Sequence, residues 1–322
     1  MGRKTYVAAI KDALAEELRR DESVFLIGED VRLGVFAGTR GLNAEFGERR
    51  IIDTPISELA VAGSAVGAAA TGLRPVVDLM FSTFLYLAYD QIANQAGAMR
   101  YMFGGQTKLP ITYIVQNGTG ASAGHHHSQS THPLFMNIPL VKVVMPSTVK
   151  DAKGLLKSSI RDDNPVIFLN HLSLGGLREE ISDDEFLIPL GKADIKRSGK
   201  DVTICAVGLM VHHALKAAKA LETEGIDAEV IDLCTLSPWD KDTVLESVAK
   251  TGRFVAVDEA YPTCSAASEW AATVAEFGFH SLKAPVARVT GKPLPIPFSP
   301  VLEKAVIPSV EEIVAAAKGT FK

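Results

Sequence analysis

The 322-residue chain has only three cysteines, Cys205, Cys234 and Cys264, odd in number and free of CxxC spacing. That excludes a disulfide framework and gives no support to a thiolate metal site. It has no apolar run of the ~18 residues a membrane span needs, and its N-terminal MGRKTYVAAIKDALAEELRRD reads as an amphipathic helix without a signal-peptide core. A cytoplasmic place of action and no membrane are expected. No block of Lys and Arg stands out, and the net charge of -5 argues against nucleic acid as the principal partner. No GxGxxG, GxxxxGK[ST] or HExxH occurs, and the one GxSxG, GASAG at 120–124, lies in a loop and not at a strand end, so a dinucleotide fold, a P-loop, a helical zinc site and a nucleophile elbow all lack their signatures.

With 47% hydrophobic and 22% charged residues, the chain can bury a real core in about two domains. Short β-branched runs alternate with longer helical stretches, the pattern of parallel sheets covered by helices. The strand candidates of the first half are VFLI at 24–27, RIID at 50–53, PVVDLM at 75–80, ITYIV at 111–115, VKVVM at 141–145 and VIFL at 166–169. A charged, Gly-containing stretch after about residue 170 reads as a linker with a short hairpin, and DVTICAVG, DAEVIDL, RFVAVDEA and PVARVTG repeat the α/β theme beyond it. The expected division is 1–180, a linker at 181–200, and 201–322.

Two features call for chemistry. DTPISE at 53–58 places Glu58 where a strand gives way to the small, apolar helix LAVAGSAVGAAATG, with Ser57 as its expected cap. An acid in a first helical turn also complements the helix dipole, so this pattern alone leaves Glu58 open between structure and function. The second feature is NGTGASAGHHHSQSTHPLFMNIPL, which joins two strands through more than twenty residues and holds four of the eight histidines, at 125, 126, 127 and 132. Connections of that length inside compact domains are usually functional or disordered, and Phe135, Met136, Ile138 and Leu140 favour a packed, structured loop. Neighbouring histidines on a loop lack metal-ligand spacing, so an acid/base role for one of them is the better reading. An acid and a histidine without a strong nucleophile imply a cofactor that brings the reactive atom.

GEDV at 28–31, GLNAEFG at 41–47, DTPISE, DQIANQA from 90, RYMFGG at 100–105, HSQS at 127–130, DAKGLL and SIRDDNPVIF within 151–168, and KTGRFVAVDEA at 250–260 occur in order and nearly uniform spacing. Together they resemble the beta subunit of the thiamine-diphosphate-dependent first component of 2-oxo acid dehydrogenase complexes, of the pyruvate, branched-chain and acetoin types. The resemblance implies an α/β chain of two domains, each a mostly parallel sheet flanked by helices: a transketolase-like pyrimidine-binding domain and a transketolase C-terminal domain. It implies oxidative decarboxylation, or acetoin cleavage, with acyl transfer to lipoamide of an acyltransferase component. A split transketolase, moving a ketol unit between sugar phosphates, is the alternative, although no basic cluster stands near the histidine loop to receive phosphate.

The same resemblance implies residue roles. Glu58 matches the acid that hydrogen bonds the aminopyrimidine ring, Phe84 the aromatic beside it, and His127 the histidine that guides the acyl group. Glu29 and Asp90 are candidates for an acidic relay. Backbone oxygens of Ile111, Ser159, Ile160 and Asp162, with Asn164, match a potassium cage, an oxygen-rich donor set suited to a hard ion. His125, His126 and Leu140 depart from the family pattern, which has smaller residues or Gln at the first two and Gly at the third. The GDG motif that anchors magnesium and diphosphate in the family is missing. An alpha subunit carrying GDG is therefore implied, in an α2β2 assembly that holds thiamine diphosphate and magnesium jointly.

Overall fold

The computed structural model describes residues 2–36 and 38–322. The chain divides into two compact units, one of residues 1–117 and 134–190, the other of 118–133 and 191–322. The histidine loop therefore counts with the second unit, although the strands on either side of it lie in the first.

In the first unit the strands Lys142–Val144, Val166–His171, Thr112–Asn117, Arg74–Phe81, Val24–Gly28 and Ile51–Asp53 lie side by side in that order, all parallel. Each falls on one of the β-branched runs, and Val76, Val77, Val115, Ile167 and Phe168 are buried, as expected of a sheet covered on both faces. The helix Tyr6–Arg20, capped by Thr5 Oγ1 accepting the Ala8 N–H at 3.1 Å, packs on Val149–Arg161. Lys153 and Lys157 each reach Glu16 at 2.6 Å across that contact.

The second unit carries Ala287–Thr290, Phe254–Asp258, Val202–Ala206 and Ala228–Asp232 as parallel neighbours, with Asp194–Arg197 antiparallel at the edge. Leu209–Thr223 and Val310–Gly319 cover this sheet, and Val202, Ile204, Val230, Val255 and Val257 form its core with Ala214, Ala218 and Ile313. Both halves thus have the mostly parallel, helix-flanked architecture.

Two local expectations are corrected. The stretch read as a linker with a hairpin holds two strands that do not pair with each other: Arg178–Ile181 runs antiparallel to Gly2–Thr5, while Asp194–Arg197 joins the second sheet. Short charged segments found better partners at exposed edges than in one another. Ser57 occupies the position before the helix Glu58–Ala70, but its hydroxyl donates to Pro55 O at 3.1 Å and caps nothing. Pro55 bends the chain so that the nearest acceptor for that hydroxyl is a local carbonyl.

Candidate functional site

The carboxyl ends of three parallel strands build one pocket in the first unit. Val24–Gly28 leads into Glu29, Ile51–Asp53 into Thr54 and Pro55, and Arg74–Phe81 carries Asp78 before a single tight turn, Ser82–Tyr86, presents Phe84. Crevices at the carboxyl ends of parallel strands are the usual ligand sites of α/β sheets. Glu29, Thr54, Glu58, Asp78 and Phe84 line a space of about 240 Å³ there, with Val61, Leu79 and Met80. The resemblance's Glu58, Phe84 and Glu29 are thereby brought together. Glu58, the first residue of its helix, is half-buried.

Asp78 was not singled out from the sequence, where VVDLM reads as an ordinary strand. The register between Arg74–Phe81 and Thr112–Asn117 slips between Asp78 and Phe81, Met80 takes a left-handed φ of 59°, and Asp78 Oδ1 accepts the Met80 N–H at 2.9 Å. Bulges of this kind re-aim side chains beside active sites. Gly28 makes room for it: a Cβ there would lie 2.2 Å from Asp78 O. Asp78 also lines a second space of about 470 Å³, with Tyr6, Thr39, Gln116, Asn170 and His171.

Burial opposes ionisation of two carboxyl groups in the pocket. Burial pushes the Asp78 carboxyl up to about 6, against the pull of the Met80 N–H, and the nearby charge of Glu29 adds to the rise. Burial also raises Glu29, helped by the charges of Asp30 and Glu58. Carboxyl groups raised by burial in a cleft mark a candidate functional site. Thr54 Oγ1 is buried without a hydrogen-bond partner among the described residues. Such an orphan beside carboxyl groups and an aromatic ring is what a polar ligand would satisfy.

Asp90 is not part of this pocket. It is exposed and takes hydrogen bonds from Asn94 Nδ2 at 2.7 Å and Gln91 Nε2 at 3.3 Å.

His127 belongs to the second unit, half-buried on the short helix His125–Ser128. His126 is exposed, and His125 Nδ1 accepts the Ile296 N–H at 3.3 Å. His132 is buried and pairs with the buried Asp258, Nε2 to Oδ1 at 3.0 Å. Burial alone would raise Asp258, but the His132 imidazole and the N–H groups of Ala260 and Ala267 hold it below the usual carboxylate range, and Ala266 N–H also donates to it at 2.9 Å.

The residues matching a potassium cage gather at the C-terminus of Val149–Arg161, the negative end of that helix. A cation already serves it: Arg74 Nη1 donates to Ile160 O and Asp162 O, each at 3.1 Å, and Nη2 to Asp163 Oδ1 at 2.7 Å. Ile111 O accepts from Val166 N, Ser159 O from Asp162 N, and Asn164 Oδ1 from Arg100 Nη1 at 2.6 Å. The oxygens of this set are thus engaged by protein donors, and Arg74 already brings a positive charge to two of them.

Comparison with known proteins places these features. The model of the transketolase pyrimidine-binding domain matches residues 3–175 and that of the transketolase C-terminal domain residues 191–313. The beta subunit of acetoin:2,6-dichlorophenolindophenol oxidoreductase from Cupriavidus necator is 49% identical, over 100% of this chain and 99% of its own. The pyruvate dehydrogenase E1 component subunit beta of Rhizobium meliloti is 47% identical over 99% of this chain and 70% of its own. The solved structure of a split-gene transketolase, in an inactive beta4 tetramer, aligns with a TM-score of 0.79 over 99% of this chain and 98% of that one, at 26% identity. Both halves of the fold, the pocket at the strand ends and these identities together show that the chain belongs to the transketolase-like family, among the beta subunits of the thiamine-diphosphate-dependent first component of 2-oxo acid and acetoin dehydrogenases.

Proposed function

We propose that the chain works with an alpha subunit as a thiamine-diphosphate-dependent oxidoreductase, which decarboxylates a 2-oxo acid oxidatively or cleaves acetoin and passes the acyl group to lipoamide. The observation that carries this reading is the meeting of Glu58, Glu29, Phe84 and the orphaned Thr54 hydroxyl in one pocket. A flat heteroaromatic ring with a nitrogen and an amino group suits that set: Glu58 would hold a proton against the ring nitrogen, Phe84 would pack on the ring, and Thr54 would find its hydrogen bond. Bound thiamine diphosphate supplies the carbon nucleophile that this chain lacks. Glu29 and Asp78, both raised by burial, stand beside Glu58 at the same strand ends.

The rest of the assembly follows from what the chain omits. With no GDG motif here, the alpha subunit would hold magnesium and diphosphate, in an α2β2 assembly served by a lipoyl acyltransferase in the cytoplasm. His127 would meet the lipoyl group and protonate the departing sulfur. Potassium would bind at Ile111, Ser159, Ile160, Asp162 and Asn164; thermal unfolding should rise in KCl over equal NaCl, and no difference would remove the ion from the account. A split transketolase is the weaker reading, at 26% identity against 49%.

Glu58→Gln tests the central role. In the reconstituted complex it should lower turnover at least about a hundredfold, the scale of a lost general acid or base, with the fold retained. Near-normal turnover would contradict the assignment.

A further inference from the structure

We infer that buried carboxylates of the second unit, Glu303 foremost with Glu259 beside it, clamp the loop 118–133 and are positioning residues for acyl transfer by His127. The inference rests on the role proposed for His127.

The loop is held at both ends and in its middle by side chains far along the chain. Glu303, 4% exposed on the short helix Pro300–Ala305, accepts the Gly120 N–H at 3.0 Å and the Ser122 N–H at 3.3 Å on Oε1, and the Ser122 hydroxyl at 3.3 Å on Oε2. Glu259, 9% exposed, accepts the Thr119 N–H at 2.7 Å. Two carboxylates thus bind the N–H groups of residues 119, 120 and 122, an arrangement that fixes backbone rather than side chain. Hydrogen bonds to an ionised acceptor are roughly twice as strong as neutral ones, and a buried carboxylate that lost them would be left costly. At the far end His132 pairs with Asp258.

Between these ends the loop has little freedom. Gly124 adopts φ +73° against the ring of Phe298, where a Cβ would come within 2.5 Å, and the Ile296 N–H meets His125 Nδ1. The His127 N–H closes back on Gly124 O at 3.2 Å. These contacts are made within the second unit, by segments 258–259 and 296–303 and by the loop itself.

A clamp of this kind matters to one step more than the others. In acyl transfer the acyl group leaves the cofactor for one sulfur of the lipoyl disulfide, whose S–S bond breaks with the substrate's two electrons, and the other sulfur takes up a proton. Proton delivery needs the imidazole within hydrogen-bond reach of that sulfur. The role proposed for His127 lies in this step.

The experiment compares two assays on each preparation of the complex with its alpha subunit: turnover with 2,6-dichlorophenolindophenol, which takes electrons before acyl transfer, and reductive acylation of a lipoyl domain. Glu303→Gln should lower the ratio of acylation to dye turnover tenfold or more, and Glu303→Asp should recover part of it. Gly124→Ala, which loosens the loop from another side, should lower the same ratio. If both assays fall by one factor, or the ratio stays put, Glu303 is merely structural and the inference is overturned. His127→Ala separates the two layers: a lowered ratio there with none in Glu303→Gln removes the clamp alone, whereas an unmoved ratio in His127→Ala removes the role of His127 and the clamp with it.

Discussion

Replacing Asp78 by Asn should stabilise the protein, and more so as pH rises. The ordinary carboxyl value of 3.8 applies to the unfolded chain, whereas burial lifts the folded group to about 6. Between these values the unfolded chain has released a proton that the native chain still holds, so native stability falls as pH rises through this window. At about 1.36 kcal/mol per pKa unit, the full loss is about 3 kcal/mol, nearly all of it present by pH ~8 and about half by pH ~5. Asn keeps the oxygen that accepts the Met80 N–H and never ionises. Urea denaturation of the complex at pH 5 and pH 8 should therefore show the variant gaining on the parent by about 1 kcal/mol between the two. A gap that does not change with pH would refute the burial argument, and a gap that narrows toward pH 8 would reverse its sign.

Two further predictions concern stability. Asp258 is depressed, so its contribution is fully present above the unfolded value of about 4 and is lost as pH falls through the folded value; Asp258→Asn should cost about 3 kcal/mol at neutral pH, as expected for one partner of a buried pair, and the deficit should shrink in acid denaturation below about pH 4. Leu140 sits at φ +66° and is half exposed, a conformation costing a side chain ~1–2 kcal/mol, so Leu140→Gly should raise the unfolding midpoint by the equivalent of up to about 1 kcal/mol after glycine's entropy cost. A lowered midpoint would show that Leu140 makes contacts worth more than its strain.

Legibility in the sequence followed locality. The strands were readable because β-branched runs doubly buried in a parallel sheet are apolar on both faces, and Glu58 because a strand, Pro55 and an Ala/Gly helix bracket it. Glu29 and Phe84 came from the resemblance, and the shared pocket from the sheet, which aligns strand ends that lie 25–55 residues apart only after folding. Asp78 escaped because nothing in VVDLM announces a bulge; its importance comes from Gly28 lying against it on the next strand. The clamp escaped for a similar reason. Gly120 and Glu303 are separated by 183 residues, and neither GTGAS nor SPVLEKA carries a pattern that names the other. Leu140 stood out as a departure from the pattern of the resemblance, and its φ of +66° is a conformation that glycine adopts without strain.

The claim on which the rest depends is that this chain forms half of a cofactor site. Titration of thiamine diphosphate with magnesium into the chain alone, and into the chain with its alpha subunit, tests it most directly. Saturable, magnesium-dependent binding should appear only with both subunits present and should weaken in Glu58→Gln. Tight magnesium-dependent binding by the isolated chain would contradict the account.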